Sequence, residues 1–246
     1  MNFLFHRHLA ARDSGSPLAG FGAMLPDLWR MADRRLRPRR SADWPALPAP
    51  AARVGEAAKL RALLWGIEHH LAVDTAFHRG EVLKQGEAIA TRLLREAAIG
   101  GEKVLLFGHV AWEICLDGAL LRRLGLEPTK EQLRAELAAL GPEALAAALR
   151  HHAPELSEAE RREAGESLIG MLHQLAWGGW IDGYLDGRGI AQRLEGVRRR
   201  VRLPPLGEED RRRTAEAIDR LLREADDRLD AALALRVGPA DSYSLG

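Results

Sequence analysis

The chain has 246 residues, 46% hydrophobic and 29% charged, a globular composition long enough for a sizeable core and unlike that of a disordered chain. Its 36 Lys and Arg against 35 Asp and Glu leave a net charge of +1, weak for a dedicated nucleic-acid binder, so no nucleic-acid partner is expected. Cys115 is the one cysteine, which excludes an internal disulfide framework and any cysteine-rich zinc finger and suits a reducing, cytoplasmic setting.

The opening MNFLFHRHLA has no charged region followed by a long apolar run, so no signal peptide is expected. It reads as the start of a helix over residues 1–11. Asp13 to Pro17 (DSGSP) is a turn, with Pro17 placed for a first helical turn. Residues 17–35 read as a helix, or one broken around Pro26, and 36–55, rich in Pro, Ala and Arg, as a loop. Helices follow over about 55–80, 81–98 and 102–123, then about 129–139 and 142–151, with Pro128 and Pro142 near their starts. A long helix is expected over about 156–186, broken near Gly178-Gly179, then a connector over 187–206. Residues 207–235 form a last amphipathic helix with Ile218, Leu221, Leu222 and Leu229 on its stripe, and the tail after Gly238 is expected to fray. The chain is rich in helix formers and lacks alternating β-branched runs. The fold class is therefore all-α: one helical-bundle domain over 1–206, with a C-terminal extension over 207–237 packed on it or on a partner.

Residues 104–121, VLLFGHVAWEICLDGALL, reach the lower length of a membrane span but carry His109, Glu113 and Asp117. Two carboxylates in lipid are costly, so a helix buried in the protein is expected, not a membrane span. These three polar residues follow i, i+4, i+8 and share one helical face. LWGIEHHLAVDTAFH repeats the pattern with His70, Asp74 and His78, Asp74 lying between Val73 and Phe77. Triples of this spacing arise about once by chance in such a chain. Burial is the stronger signal, since a lone buried carboxylate costs several kcal/mol unless it is paired or on a metal. Imidazole with carboxylate suits Zn, Mn, Fe or Ni better than Ca. The competing expectation is that these groups hydrogen-bond one another and cap neighbouring helices. His6 and His8 in FHRHLA, and Asp27 in GAMLPDLW, add three more candidates.

Met1 to Ala10 resembles the start of bacterial acyl-carrier-protein phosphodiesterases, which typically read Met-Asn-Phe-Leu-x-His-x-His-Leu-Ala. Gly22 to Asp27 is similar to that family's Gly-Asn-Leu-Leu-x-Asp element, and Gly66, His70 and Asp74 to its Gly-x3-His-x3-Asp element. His109 to Leu116 fits a later Asp-Val-x-Tyr-Asp-His-Phe-Leu element imperfectly, and Leu71, His78 and Ile114 depart from the family pattern. The resemblance covers residues 1–122. It implies an all-helical, HD-like fold and removal of a phosphopantetheine arm from an acidic carrier protein with a divalent cation such as Mn. Carried over, His6, His8, Asp27, His70 and Asp74 are site positions, with His109 and Glu113 beside them. The spacing of His70, Asp74 and His78 is also similar to that of helical zinc-dependent phospholipase C-like proteins.

These readings give a metal-dependent hydrolase, a phosphodiesterase or phosphoesterase using metal-activated water. The expected metal ligands are His6, His8, Asp27, His70, Asp74 and His109, with Glu113, His78 and Asp117 in catalytic or supporting roles. Nine candidates exceed the needs of one ion, so one or two ions of Mn, Fe or Zn are expected. The partners are a phosphoester substrate, borne on a carrier protein or free, and a second copy of the chain through the last helix. The alternative is a non-catalytic helical metal-binding or interaction module. His173, Trp177 and Trp180 read as packed core or a cavity wall, and the arginines at 34, 35, 37, 39, 40 and 198–200 as solvated faces, phosphate holders or a dock for an acidic partner. His151-His152 reads as a pair near a helix C-terminal dipole.

Overall fold

The computed structural model describes residues 2–33, 35–36, 55–99 and 101–236. Nearly all of the expected 36–55 loop, the tail after Gly238, and Arg34, Arg37, Arg39 and Arg40 lie outside the described residues. Within them the chain is all-helical, with no strand. The helices are α1 (Phe3–Ser14), α2 (Pro17–Ala32), α3 (Glu56–Arg79), α4 (Glu81–Glu96) and α5 (Val104–Leu124). They continue with α6 (Leu126–His152), α7 (Glu158–Ala176), α8 (Gly187–Arg200) and α9 (Glu208–Leu233). They divide into two compact units, one from residues 3–76 and 127–178, the other from 77–126 and 179–235.

In the first unit, Ser16 caps α2 by accepting from the Ala19 N–H at 3.4 Å, and Pro17 occupies the first turn. The helix then runs through Pro26 unbroken, the first of the two readings the sequence left open. An interior proline costs about 3 kcal/mol. Burying one large apolar side chain returns about 1.5–3 kcal/mol, and Phe21, Met24, Leu25, Leu28 and Trp29 are all buried. Packing thus outweighs propensity. The two helices expected over 129–151 are likewise one, α6. A capping box of Ser157 and Glu160 starts α7, which stops at Ala176, ahead of the expected break at Gly178.

Three glycines let α1, α2 and α3 approach at backbone distance. A Cβ on Gly20 would lie 2.8 Å from the Arg7 carbonyl oxygen, one on Gly22 2.3 Å from that of Leu63, and one on Gly66 1.9 Å from that of Ala19. No larger residue fits these crossings without moving a helix. The Arg7 guanidinium makes a two-pronged ion pair with Glu136 on α6, at 3.1 and 2.5 Å, and both side chains are 4% exposed.

In the second unit, α5 packs against α4, α8 and α9. It is long and apolar enough to cross a membrane, and 83% of its apolar window is buried inside the protein, as a core helix would be. Trp112 lies over Gly86 of α4, where a Cβ would fall 1.9 Å from its ring. Cys115 is wholly buried here, and burial pushes its thiol far above the ordinary range. Residues 187–200, expected as part of a connector, are helical. Asp186 caps α8 by accepting from the Gly189 N–H at 2.7 Å, and Ile190, Ala191, Leu194 and Val197 form its buried stripe. Gly187 and Gly189, whose local propensity favours a connector, are close-approach positions, with Gly187 against Ala215 and Gly189 against Gly183. Along α9, Ala217, Ile218, Leu221, Leu222, Ala225 and Leu229 are buried at helical spacing.

Candidate metal centres

His6 on α1, Asp27 on α2 and His70 on α3 converge in the first unit, each offering a ligand atom within 4.8 Å of the others. The glycine crossings account for this: Gly66 lies one turn before His70, and Gly22 five residues before Asp27. The two imidazole rings are 3.9 Å apart at a 35° tilt. His6 is 0% and His70 4% exposed, while Asp27 is half-buried. His70 Nδ1 lies 2.8 Å from the Ala23 carbonyl, which can only accept. Nδ1 therefore carries a proton, so in the neutral ring it is Nε2 that presents the lone pair. Asp27 Oδ2 is buried with no hydrogen-bond partner among the described residues. A buried carboxylate oxygen in that state is costly without a cation. Two imidazoles and a carboxylate are a donor set that suits Zn, Mn or Fe and leaves coordination positions open.

A second convergence lies in the other unit. His78, His109 and Glu113 also offer ligand atoms within 4.8 Å of one another. Glu113 is buried, His109 half-buried and His78 exposed. The hydrogen bond to Glu113 holds the His109 imidazole up at about 9 against its burial, and Glu87, bonded to Nδ1, adds to this. Burial alone would raise the Glu113 carboxyl, but nearby positive charge, His109 included, holds it well below the usual range.

The nine sequence candidates thus divide. His6, Asp27 and His70 meet, as do His78, His109 and Glu113; His8, Asp74 and Asp117 belong to neither ligand group. His8 lies two residues beyond His6 on the same helix, about 200° round it. Asp74 is half-buried, and Asp117 is wholly buried one turn beyond Glu113. Sequence reasoning missed Glu87, which sits on an amphipathic helix where a glutamate reads as solvated. It also missed the pairing of His69 Nε2 with Asp13 at 3.0 Å.

Other expectations are corrected. His173 and Trp177 are exposed and stacked at 4.7 Å, with Arg134 5.9 Å over the indole, so they are not packed core. Arg35 is exposed, as a solvated face would be, and paired with Asp33, Glu160 and Glu163, whereas Arg198 is buried against the Pro204 carbonyl. His152 does close α6, but burial, with His151 nearby, pushes it down to about 3. It is therefore neutral, its ring 4.9 Å from that of Trp29 at a 54° tilt, and carries no charge for the helix dipole.

No protein-family model, curated protein or solved structure matches this chain.

Proposed function

We propose that this protein is a metal-dependent hydrolase acting on a phosphoester, with His6, Asp27 and His70 as ligands of a divalent Zn, Mn or Fe ion. One observation carries the reading. Two buried imidazoles, one with its tautomer fixed by the Ala23 carbonyl, share a space with a buried carboxylate oxygen that has no hydrogen-bond partner among the described residues. His70 would bind through Nε2, with the Ala23 carbonyl holding the ring in place. Asp27 would supply the negative charge. An ion held by three protein ligands keeps a position for water, lowers the pKa of that water and polarises a phosphoryl oxygen. The likeness of the His6, Asp27 and His70 segments to carrier-protein phosphodiesterases supports a phosphodiester on an acidic carrier protein as the substrate class.

The test is elemental analysis of protein made without added metal or a histidine tag, alongside Asp27→Asn/His70→Ala. Hydrolysis of bis(p-nitrophenyl) phosphate and of a phosphopantetheinylated carrier protein is then followed with the same ion. Loss of the equivalent bound at His6, Asp27 and His70, together with loss of hydrolysis, is expected in the double variant. A wild type that takes up neither Zn, Mn nor Fe would sink the reading. The burial of both imidazoles favours a second reading, a structural metal site, which predicts bound metal without turnover.

A further inference from the structure

The second convergence has a geometry that the hydrolase reading does not use. Its residues come from the last turn of α3 and two successive turns of α5. His78 Nε2 lies 3.8 Å and His109 Nε2 3.4 Å from the same Glu113 oxygen, Oε1. In a tetrahedral site with bonds of 2.0–2.1 Å, ligand atoms stand about 3.3 Å apart. The observed spacings are close to this, so small rotations of the two rings would bring all three atoms onto one ion. The rings are already stacked, 5.0 Å apart and 15° from parallel, with both Nε2 atoms facing one carboxylate.

The far side of His109 carries a second carboxylate. Its Nδ1 is hydrogen-bonded to Glu87 of α4. A ligating histidine commonly has this arrangement, one nitrogen on the ion and the other donating to a carboxylate that fixes the ring and raises its basicity. Glu113 is nearly buried, whereas the His78 and His109 side chains are 36% and 29% exposed. The anionic ligand is thus rooted in the core and the imidazoles lie towards solvent, which leaves a route for ion exchange.

We propose that His78, His109 and Glu113 form a second site for a divalent transition ion of the Zn or Co type, with Glu87 positioning His109. It stands whether or not His6, Asp27 and His70 bind metal, because no residue is shared.

The experiment titrates metal-free full-length protein with Co²⁺ alone. It reads equivalents bound by elemental analysis and the visible absorption of bound Co²⁺, with circular dichroism to check the fold. In Asp27→Asn/His70→Ala, one equivalent is expected to remain. Adding His78→Ala should remove it with its absorption band. Glu87→Gln should weaken it by about 10- to 100-fold without abolishing it. His109→Ala should act like His78→Ala; if it fails to fold, His78→Ala, on an exposed side chain, decides. A folded Asp27→Asn/His70→Ala protein that binds no Co²⁺ would overturn the proposal. So would a retained equivalent that His78→Ala leaves intact. Failure of the first site reads differently, as equal uptake by wild type and Asp27→Asn/His70→Ala.

Discussion

His70 donates its Nδ1 proton to the Ala23 carbonyl, which lies one helical turn before Asp27 on the neighbouring helix. One hydrogen bond thus links the tautomer of the imidazole to the stretch of helix that carries the carboxylate. A folded-state ligand stabilises by mass action, by about 2.7 kcal/mol at 100 times its Kd. In a His78→Ala background, Zn²⁺ at that level should raise the denaturant midpoint relative to chelator-treated protein. Adding His70→Ala should remove the increment. An unchanged increment would exclude His70 as a ligand.

Gly66→Ala should damage both fold and site. Its Cβ would meet the Ala19 carbonyl oxygen at 1.9 Å, and backbone cannot swing aside as a side-chain tip can. Overpacking costs about 1–3 kcal/mol where side chains can adjust, so a loss at or above the top of that range is expected. Chemical denaturation measures it, and metal uptake by the folded fraction should fall with it. A loss below about 0.5 kcal/mol, within the ordinary range for surface changes, would show that the crossing is looser than the structure has it.

The Arg7–Glu136 pair predicts a non-additive cycle. Burial pushes the Glu136 carboxyl up, and the Arg7 charge does not fully offset this. The pair therefore contributes little net stability, yet each charge needs the other. Removing one partner, as in Arg7→Met or Glu136→Leu, should cost about 3–5 kcal/mol. The double variant should be far less damaged than the sum of the singles. Additive losses would contradict the pairing.

Stability should fall in mild acid because of His152. Its folded pKa, about 3, is below the unfolded value of about 6.5, so the unfolded chain takes the proton first. Its contribution is fully present above about pH 6.5 and declines as pH falls towards 3. His69, also lowered chiefly by burial, acts in the same direction. His109, held up at about 9, works in the opposite sense and over the higher window, from about 6.5 to 9. Thermal midpoints between pH 7 and about 4.5 should drop less steeply in His152→Gln than in the wild type. Equal slopes would mean that His152 is not held neutral.

The all-helical class was legible because helix formers dominate and strand patterns are absent. Helix limits were less so. Pro26 signals a break by local propensity yet lies inside α2, and Gly187 and Gly189 favour a connector yet form the first turn of α8, each held by tertiary packing. Polar residues at helical spacing in apolar runs picked out His70, His78, His109 and Glu113. The spacing could not divide them, because ligand sets form between helices while periodicity describes one helix at a time. His70 and His78 share α3 yet join different groups. Asp74, between them, joins neither, and although flanked by Val73 and Phe77 in sequence it is only half-buried in space.

The lone thiol of Cys115, shut inside α5 and kept protonated by its surroundings, gives the molecule a built-in clock. Alkylating reagents need a thiolate they can reach, and the native fold offers neither. Modification at this one position therefore proceeds only through opening of the core helix. Counting labelled molecules over time would report how often that helix comes apart under native conditions, with no engineered probe.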